Sequence, residues 1–212
     1  MNESVQWHHQ TILKNVAQKL KGNGYSVTVA EHVIDAKEKV LLLIGPEESV
    51  GLGGSRTIAQ LGLMDELKAS GRRVIAAPAG APFEQTLAAR RQSITADVFM
   101  ASPNAITLDG RLIFVDKIGN RTAGMTFGPK KVIAVAGVNK IVADEKAGYE
   151  RIRTYAAPVN AKRLKLETPC TKTGVCCDCD SPQRICGIAV TLWKKPAYTE
   201  YHIILVPEEL GF

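Results

Sequence analysis

Apolar residues along this chain switch repeatedly between helical and strand spacing. Val5, Ile12, Leu13, Val16 and Leu20 recur at near-helical intervals, which predicts a helix over Ser4–Leu20 with Ser4 as its cap and Gly22-Asn23-Gly24 as its stop. Tyr25–Val29 alternates like a strand. Val33, Ala36, Val40, Leu41 and Ile44 share one helical face, so the run ending at Ile44 reads as helix rather than buried strand, and Gly45-Pro46 ends it. A strand is expected over Glu48–Leu52. Ile58, Leu61, Leu63, Met64 and Leu67 then predict a helix, Arg73–Ala77 a strand, Pro78–Pro82 a loop, Phe83–Arg91 a helix and Asp97–Ala101 a strand.

The alternation then changes character. Apolar runs on both sides of Asp109-Gly110 predict a hairpin from Asn104 to Val115, because this dipeptide tolerates the positive φ of a tight turn. A polar loop, Gly119–Thr122, and a short element ending at Gly128-Pro129 precede a buried strand, Lys131–Ala136. Ala143–Ala156 reads as a helix ending before Pro158, followed by a helical stretch to Leu166 and a cysteine-rich segment, 168–187. Ile188–Trp193 and Tyr201–Val206 are β-branched runs expected to complete the sheet. The whole pattern predicts an α/β fold: a layered, mostly parallel sheet flanked by helices, with a hairpin insertion and a Cys-rich loop, in one domain over 1–212.

Bulk properties narrow the classes. The 45% hydrophobic and 23% charged residues are ordinary globular values. The net charge of +6 is spread along the chain, with no basic cluster interleaved with aromatics, so it favours an anionic ligand over nucleic acid. The start lacks a basic segment followed by an apolar core, and no run approaches the ~20 apolar residues of a membrane span, so a cytoplasmic location without a membrane span is expected.

Three groups of residues carry candidate chemistry. Gly51, Gly53, Gly54, Ser55 and Thr57 form a glycine loop between strand and helix. Their spacing fits neither the dinucleotide fingerprint nor the P-loop, which disfavours NAD and ATP. A small-anion cradle is the reading retained, against a plain tight turn with Ser55 as helix cap. The second group is Asn104, Asn120 and Arg121 around the hairpin, where Arg121 suits a bidentate pair with a carboxylate or phosphate, and Asp109 serves the turn. Lys140, after strand 131–136, either neutralises an anion or is solvated.

The third group is the cysteines. Cys170, Cys176, Cys179 and Cys186 give C-x5-C-x2-C-x6-C, with Cys177 between two of them. In a reducing compartment this density reads as a four-thiolate site for zinc or an iron–sulfur cluster, with a loop of free thiols as the alternative. Cys177 is either a fifth, reactive thiol or incidental. The four histidines show no metalloprotease spacing, and no nucleophile-elbow motif is present.

Taken together, SVGLGGSRTIAQLGLMDEL, NAITLDGRLIFVDKIGNRTAGMTFGPKKVIAVAGVNKIV and PCTKTGVCCDCDSPQRIC resemble the lactate-utilisation (LUD) domain family, in its small cysteine-bearing branch, from about Ser4 to Val206. The resemblance implies a fold like that of ribose-5-phosphate isomerase, glucosamine-6-phosphate deaminase and the CoA transferases, whose glycine loop binds phosphosugar or CoA groups. By position it makes Gly51, Gly53, Gly54, Ser55 and Thr57 the ligand loop, with Asn104, Asn120 and Arg121 facing it. It also implies a role in oxidising L-lactate to pyruvate beside iron–sulfur partner proteins. No glutamate occupies an evident equivalent of the base or nucleophile of those relatives; Glu84 and Glu145 read as ordinary helix residues. Three functional expectations follow: a LUD-type protein binding a small anionic metabolite and holding a metal or cluster, a phosphosugar- or CoA-binding enzyme, and a non-catalytic subunit, with a homo-oligomer possible in each.

Overall fold

The computed structural model describes residues 2–78 and 80–212. Met1, and Ala79 in the loop expected at Pro78–Pro82, lie outside the described residues. Six strands form a parallel sheet in the order β1-β10-β7-β4-β2-β3: β1 Ser26–Val29, β10 Glu200–Val206, β7 Lys131–Gly137, β4 Val98–Ala101, β2 Val50–Leu52 and β3 Val74–Ile75. A second sheet has the order β8-β5-β6-β9, from β8 Ile141–Val142, β5 Ala105–Thr107, β6 Leu112–Asp116 and β9 Ile188–Leu192.

Alternation along the central strands sends side chains to two different cores, as the two-residue repeat of a strand requires. Phe99, Ala101, Val132, Ala134, Ile203 and Leu205 pack with Leu13, Val16 and Leu20 of α1 (Glu3–Gly22) and with Ile106, Leu112 and Phe114 of the second sheet. Their neighbours Val98, Met100, Ile133, Val135 and Ile204 pack on the other face with α2 (Val33–Leu42), α3 (Arg56–Gln60) and α4 (Leu63–Ala69). Strands covered on both faces are near-continuously apolar, which is why KVIAVA reads as a buried strand.

Several elements differ from their sequence expectation. Asn2 rather than Ser4 caps α1, its carboxamide oxygen accepting from the Ser4 N–H at 2.9 Å. The single helix expected after the glycine loop is two, because Gly62 at φ +63° turns the chain between α3 and α4. The residues of the expected loop 119–122 instead open α6 (Asn120–Thr126), with Gly119 at φ +84° before its first turn. Ile188–Trp193 was expected in the main sheet. Instead β9 pairs antiparallel with β6 and closes the second sheet, so the hairpin is the centre of a four-stranded layer and not an isolated insertion.

The helix expected to stop before Pro158 continues through it. After α5 (Phe83–Ile94) and α6, α7 (Glu145–Arg151) widens into a π turn at Ile152–Ala156 and resumes as α8 (Ala157–Arg163) with Pro158 in its first turn. Proline lacks an N–H and crowds the carbonyl four residues back. The wider turn relieves both, so the chain proceeds without a break. A short helix, α9 (Cys170–Thr173), begins the cysteine segment. Among the described residues no helix is long and apolar enough to cross a membrane.

Candidate functional site

All six strands of the main sheet point the same way, so the loops that follow β2, β4 and β7 meet at one edge. The chain leaves β2 towards β3 on one side, and leaves β4 towards β7 on the other. Diverging connections of this kind open a crevice at the carboxyl ends of the two strands. A cavity of about 230 Å³ lies there. Its wall includes Gly53, Gly54, Ser55, Thr57, Asn104, Asn120, Arg121 and Lys140, eight of the nine residues expected to bind a ligand.

Gly51 is not in that wall. It lies inside β2, where an added Cβ would sit 2.2 Å from the Ser93 carbonyl oxygen of α5. Its role is to let helix and strand approach. Gly54 takes φ +75°, and Ser55 Oγ accepts from the Ile58 N–H at 3.3 Å, so the serine is a helix cap within the cavity wall. Because α3 spans only five residues, its dipole adds little field. The positive character of the cavity comes from side chains.

Those side chains are Arg56, Arg90, Lys117, Arg121 and Arg163, with the buried amine of Lys140 beside them, against the one carboxylate side chain in the wall, Asp116. Asp116 is already paired. Its Oδ1 accepts from Arg121 Nε at 3.0 Å and its Oδ2 from the Thr122 N–H at 2.8 Å. Arg121 also donates to Asn104 Oδ1 at 2.6 Å, to Val115 O at 2.8 Å and to Ser102 O at 3.3 Å. Asn104 Oδ1 receives the Val115 N–H as well, at 2.9 Å. Arg121 and Asn104 thus tie the second sheet and α6 to the end of β4, where sequence suggested ligand donors.

Lys140 is buried, not solvated. It ends a 3₁₀ turn, Val138–Lys140, after β7 and is 4% exposed. Its Nζ donates to Thr57 Oγ1 at 2.9 Å, Ser102 Oγ at 2.8 Å and Pro103 O at 3.2 Å. Thr57 Oγ1 donates in turn to Leu210 O at 3.2 Å, so its hydroxyl is fully engaged. Burial, and then the positive charges of Arg121 and Arg151, push the Lys140 pKa well below its ordinary value. Arg151 is itself turned to backbone carbonyls, Asn139 O and Asn104 O, each at 2.8 Å.

The five cysteines are free and line one smaller cavity of about 20 Å³ together with Ala157, Pro158, Thr168, Arg184 and Ile185. Ala157, Ile185 and Cys186 belong to both cavity walls, so the thiol cluster and the cationic cavity are neighbours. Arg184 organises the loop: it donates to Cys179 O at 2.8 Å, Cys186 O at 3.1 Å and Asp178 Oδ1 at 2.7 Å. Burial raises the Cys186 thiol pKa. The donor set is all sulfur, which suits a soft metal, although among the described residues no three His, Cys, Asp or Glu side chains are grouped as an ion's ligands.

Sequence reasoning missed Ser102, Arg151, Arg56, Arg90, Lys117, Arg163 and Phe212. Arg56 stood beside the glycine loop and was the one with a local signal. Arg90 and Arg163 come from different helices, α5 and α8, and only the folded chain brings them to one cavity.

Fold and site together define an α/β protein with a cation-lined cavity at the switch point of a parallel sheet. Residues 13–206 match the model of the LUD domain family, and the chain belongs to that family. At the family level this supports a role related to lactate utilisation. A crystal structure of a DUF162 family protein from Deinococcus radiodurans shares the fold, with a TM-score of 0.53 and 13% identity over 93% of this chain and 98% of that one. No curated protein matches the chain.

Proposed function

We propose that this protein binds a small anionic metabolite, of carboxylate or phosphate type, in the cavity at the ends of β2, β4 and β7, in the context of lactate oxidation. One observation carries the reading: Arg56, Arg90, Lys117 and Arg163 line the cavity beyond the buried Lys140 and the Arg121–Asp116 ion pair, and Asp116 is the one carboxylate side chain in the wall. A partly desolvated cavity with unbalanced positive charge favours an anion strongly, because the attraction is screened less there than at an open surface. Its volume of about 230 Å³ lies below the ~300–1,000 Å³ of drug-sized sites. This supports a small metabolite over CoA, which would have to extend far outside.

Within the same proposal, Cys170, Cys176, Cys179 and Cys186 hold a soft metal ion or an iron–sulfur cluster beside the anion cavity. When bound, such a group supplies electron transfer if it is iron–sulfur, or rigidity if it is zinc. Arg184 would hold Cys179 and Cys186 in place through their carbonyls. The shared wall at Cys186 favours this pairing over a phosphosugar isomerase that ignores the cysteines.

The test has two arms on protein purified without oxygen. L-lactate, pyruvate, a phosphosugar and CoA are each added at millimolar concentration, and the melting temperature is followed, since a ligand bound only by the native state must raise it. A rise with the small carboxylates or phosphates is expected, and no rise with any of the four overturns the anion site. Metal analysis with absorption spectroscopy is the second arm. Near-stoichiometric iron or zinc is expected, and metal-free protein after purification overturns the metal centre.

A further inference from the structure

Lys140 has surroundings unlike those of an ordinary lysine. It is buried in the cavity wall, and its Nζ is held by two hydroxyls and one carbonyl, from Thr57, Ser102 and Pro103. No carboxylate among the described residues pairs with it, while Arg121 and Arg151 are the charges that act on it. A lysine buried beside other cations sheds its proton readily, and an unprotonated amine is a nucleophile towards carbonyl carbon.

We infer that Lys140 condenses with the keto group of a small 2-oxo carboxylate bound in this cavity, forming an imine. The inference rests on the anion-binding reading above: the cavity's cations gather the carboxylate, and the amine meets the adjacent carbonyl. The Nζ lone pair adds to the carbonyl carbon, and a proton passes from nitrogen to the former carbonyl oxygen to give a carbinolamine. The nitrogen then gives up its second proton to the departing oxygen as the C–O bond breaks, water leaves, and a neutral C=N bond joins the ligand to Lys140. No oxidant or reductant is consumed.

The hydrogen-bond shell serves this step. Thr57 Oγ1 and Pro103 O accept the two N–H bonds of a neutral amine, and Ser102 Oγ lies 2.8 Å from the nitrogen with its own hydroxyl donating to Pro103 O at 3.3 Å, which leaves the nitrogen lone pair free. The same three partners also suit an ammonium whose only task is to join three loops. Reactivity separates the two roles, since a lysine of the second kind gives no covalent product.

The experiment is reductive trapping. The full chain is incubated with pyruvate and sodium cyanoborohydride, which reduces imines, and the product is examined by intact-mass and peptide-mapping mass spectrometry. One reduced pyruvate adduct per chain, mapped to Lys140, is expected, and the Lys140→Arg variant stays unmodified there. Absence of an adduct at Lys140, or adducts spread evenly over surface lysines, overturns the inference. Pyruvate that raises the melting temperature without trapping at Lys140 overturns the imine and leaves the anion site standing. If pyruvate gives neither a shift nor an adduct while a phosphate ligand gives a shift, the imine alone fails. If no anion gives a shift and no adduct forms, both readings fail.

Discussion

Arg121 and Asp116 form an ion pair at 2.8 Å, with both side chains largely shielded from solvent. The pair joins the first turn of α6 to the end of β6 within the cavity wall. Losing one partner of a shielded pair leaves the other charge uncompensated, which costs about 3 kcal/mol. Arg121→Met is therefore expected to lower unfolding free energy by about that amount in urea titrations. A loss below about 1 kcal/mol, the range of an exposed pair, would contradict the anchoring role.

Gly51 and Gly54 should respond differently to alanine. At Gly51 the new Cβ meets the Ser93 carbonyl at 2.2 Å, so strand and helix must separate, at a cost of about 2–3 kcal/mol. At Gly54 nothing lies within 4 Å, and the cost is the positive φ alone, about 1–2 kcal/mol. Paired denaturation curves check the order. Equal losses at the two sites would show that strand and helix give way at Gly51 at little cost, so that the close approach is not what requires glycine there.

Stability should fall in acid partly through Asp97. Hydrogen bonds from the Ser49 hydroxyl and backbone N–H, at 2.7 and 3.0 Å, hold its carboxyl below the usual pKa. A group with a depressed native pKa contributes its stability above the unfolded value, about 3.9, and loses it as pH falls through the native one. The urea midpoint of Asp97→Asn should therefore lie below that of the wild type at pH 6. The gap should narrow as pH drops below about 4. A gap that is constant from pH 6 to 3 would place the effect elsewhere.

Anion affinity should weaken as cavity cations are removed. Arg56→Gln and Arg90→Gln remove partly solvated charges, and each should weaken binding of a carboxylate or phosphate probe by about 3- to 10-fold at low salt, less at high salt. Isothermal titration at two ionic strengths checks this. Unchanged affinity in both variants would remove these arginines from the binding surface.

Arg184 should govern the cysteine loop. Replacing it with methionine removes the donors to Cys179 O, Cys186 O and Asp178. Faster thiol modification by an alkylating reagent is expected in Arg184→Met, with little change in the melting temperature because no residue of the 170–187 segment is fully buried. Thiols that react no faster in the variant would show that the loop is held by other contacts.

The parallel sheet was legible because its central strands, β4 and β7, are short apolar runs buried on both faces and bounded by turn residues, while the similar run at Leu41–Ile44 continues an upstream helical face. The second sheet was not. Ile188–Trp193 carries the same β-branched signal as Tyr201–Val206, and spacing alone does not say which partner a strand takes. Pro158 misled for a related reason: its clash is local, but the π turn that relieves it is set by how α7 and α8 pack.

By itself the sequence determined the alternation of strands and helices, the glycine loop and the sulfur-only donor set, because each depends on residues close together in the chain. Tertiary structure alone decided that Lys140 is buried, that Arg121 is committed to Asp116, and that the cysteine cavity shares a wall with the cationic one. Those relations join residues from distant segments. They exist only once six parallel strands have brought their ends to one edge.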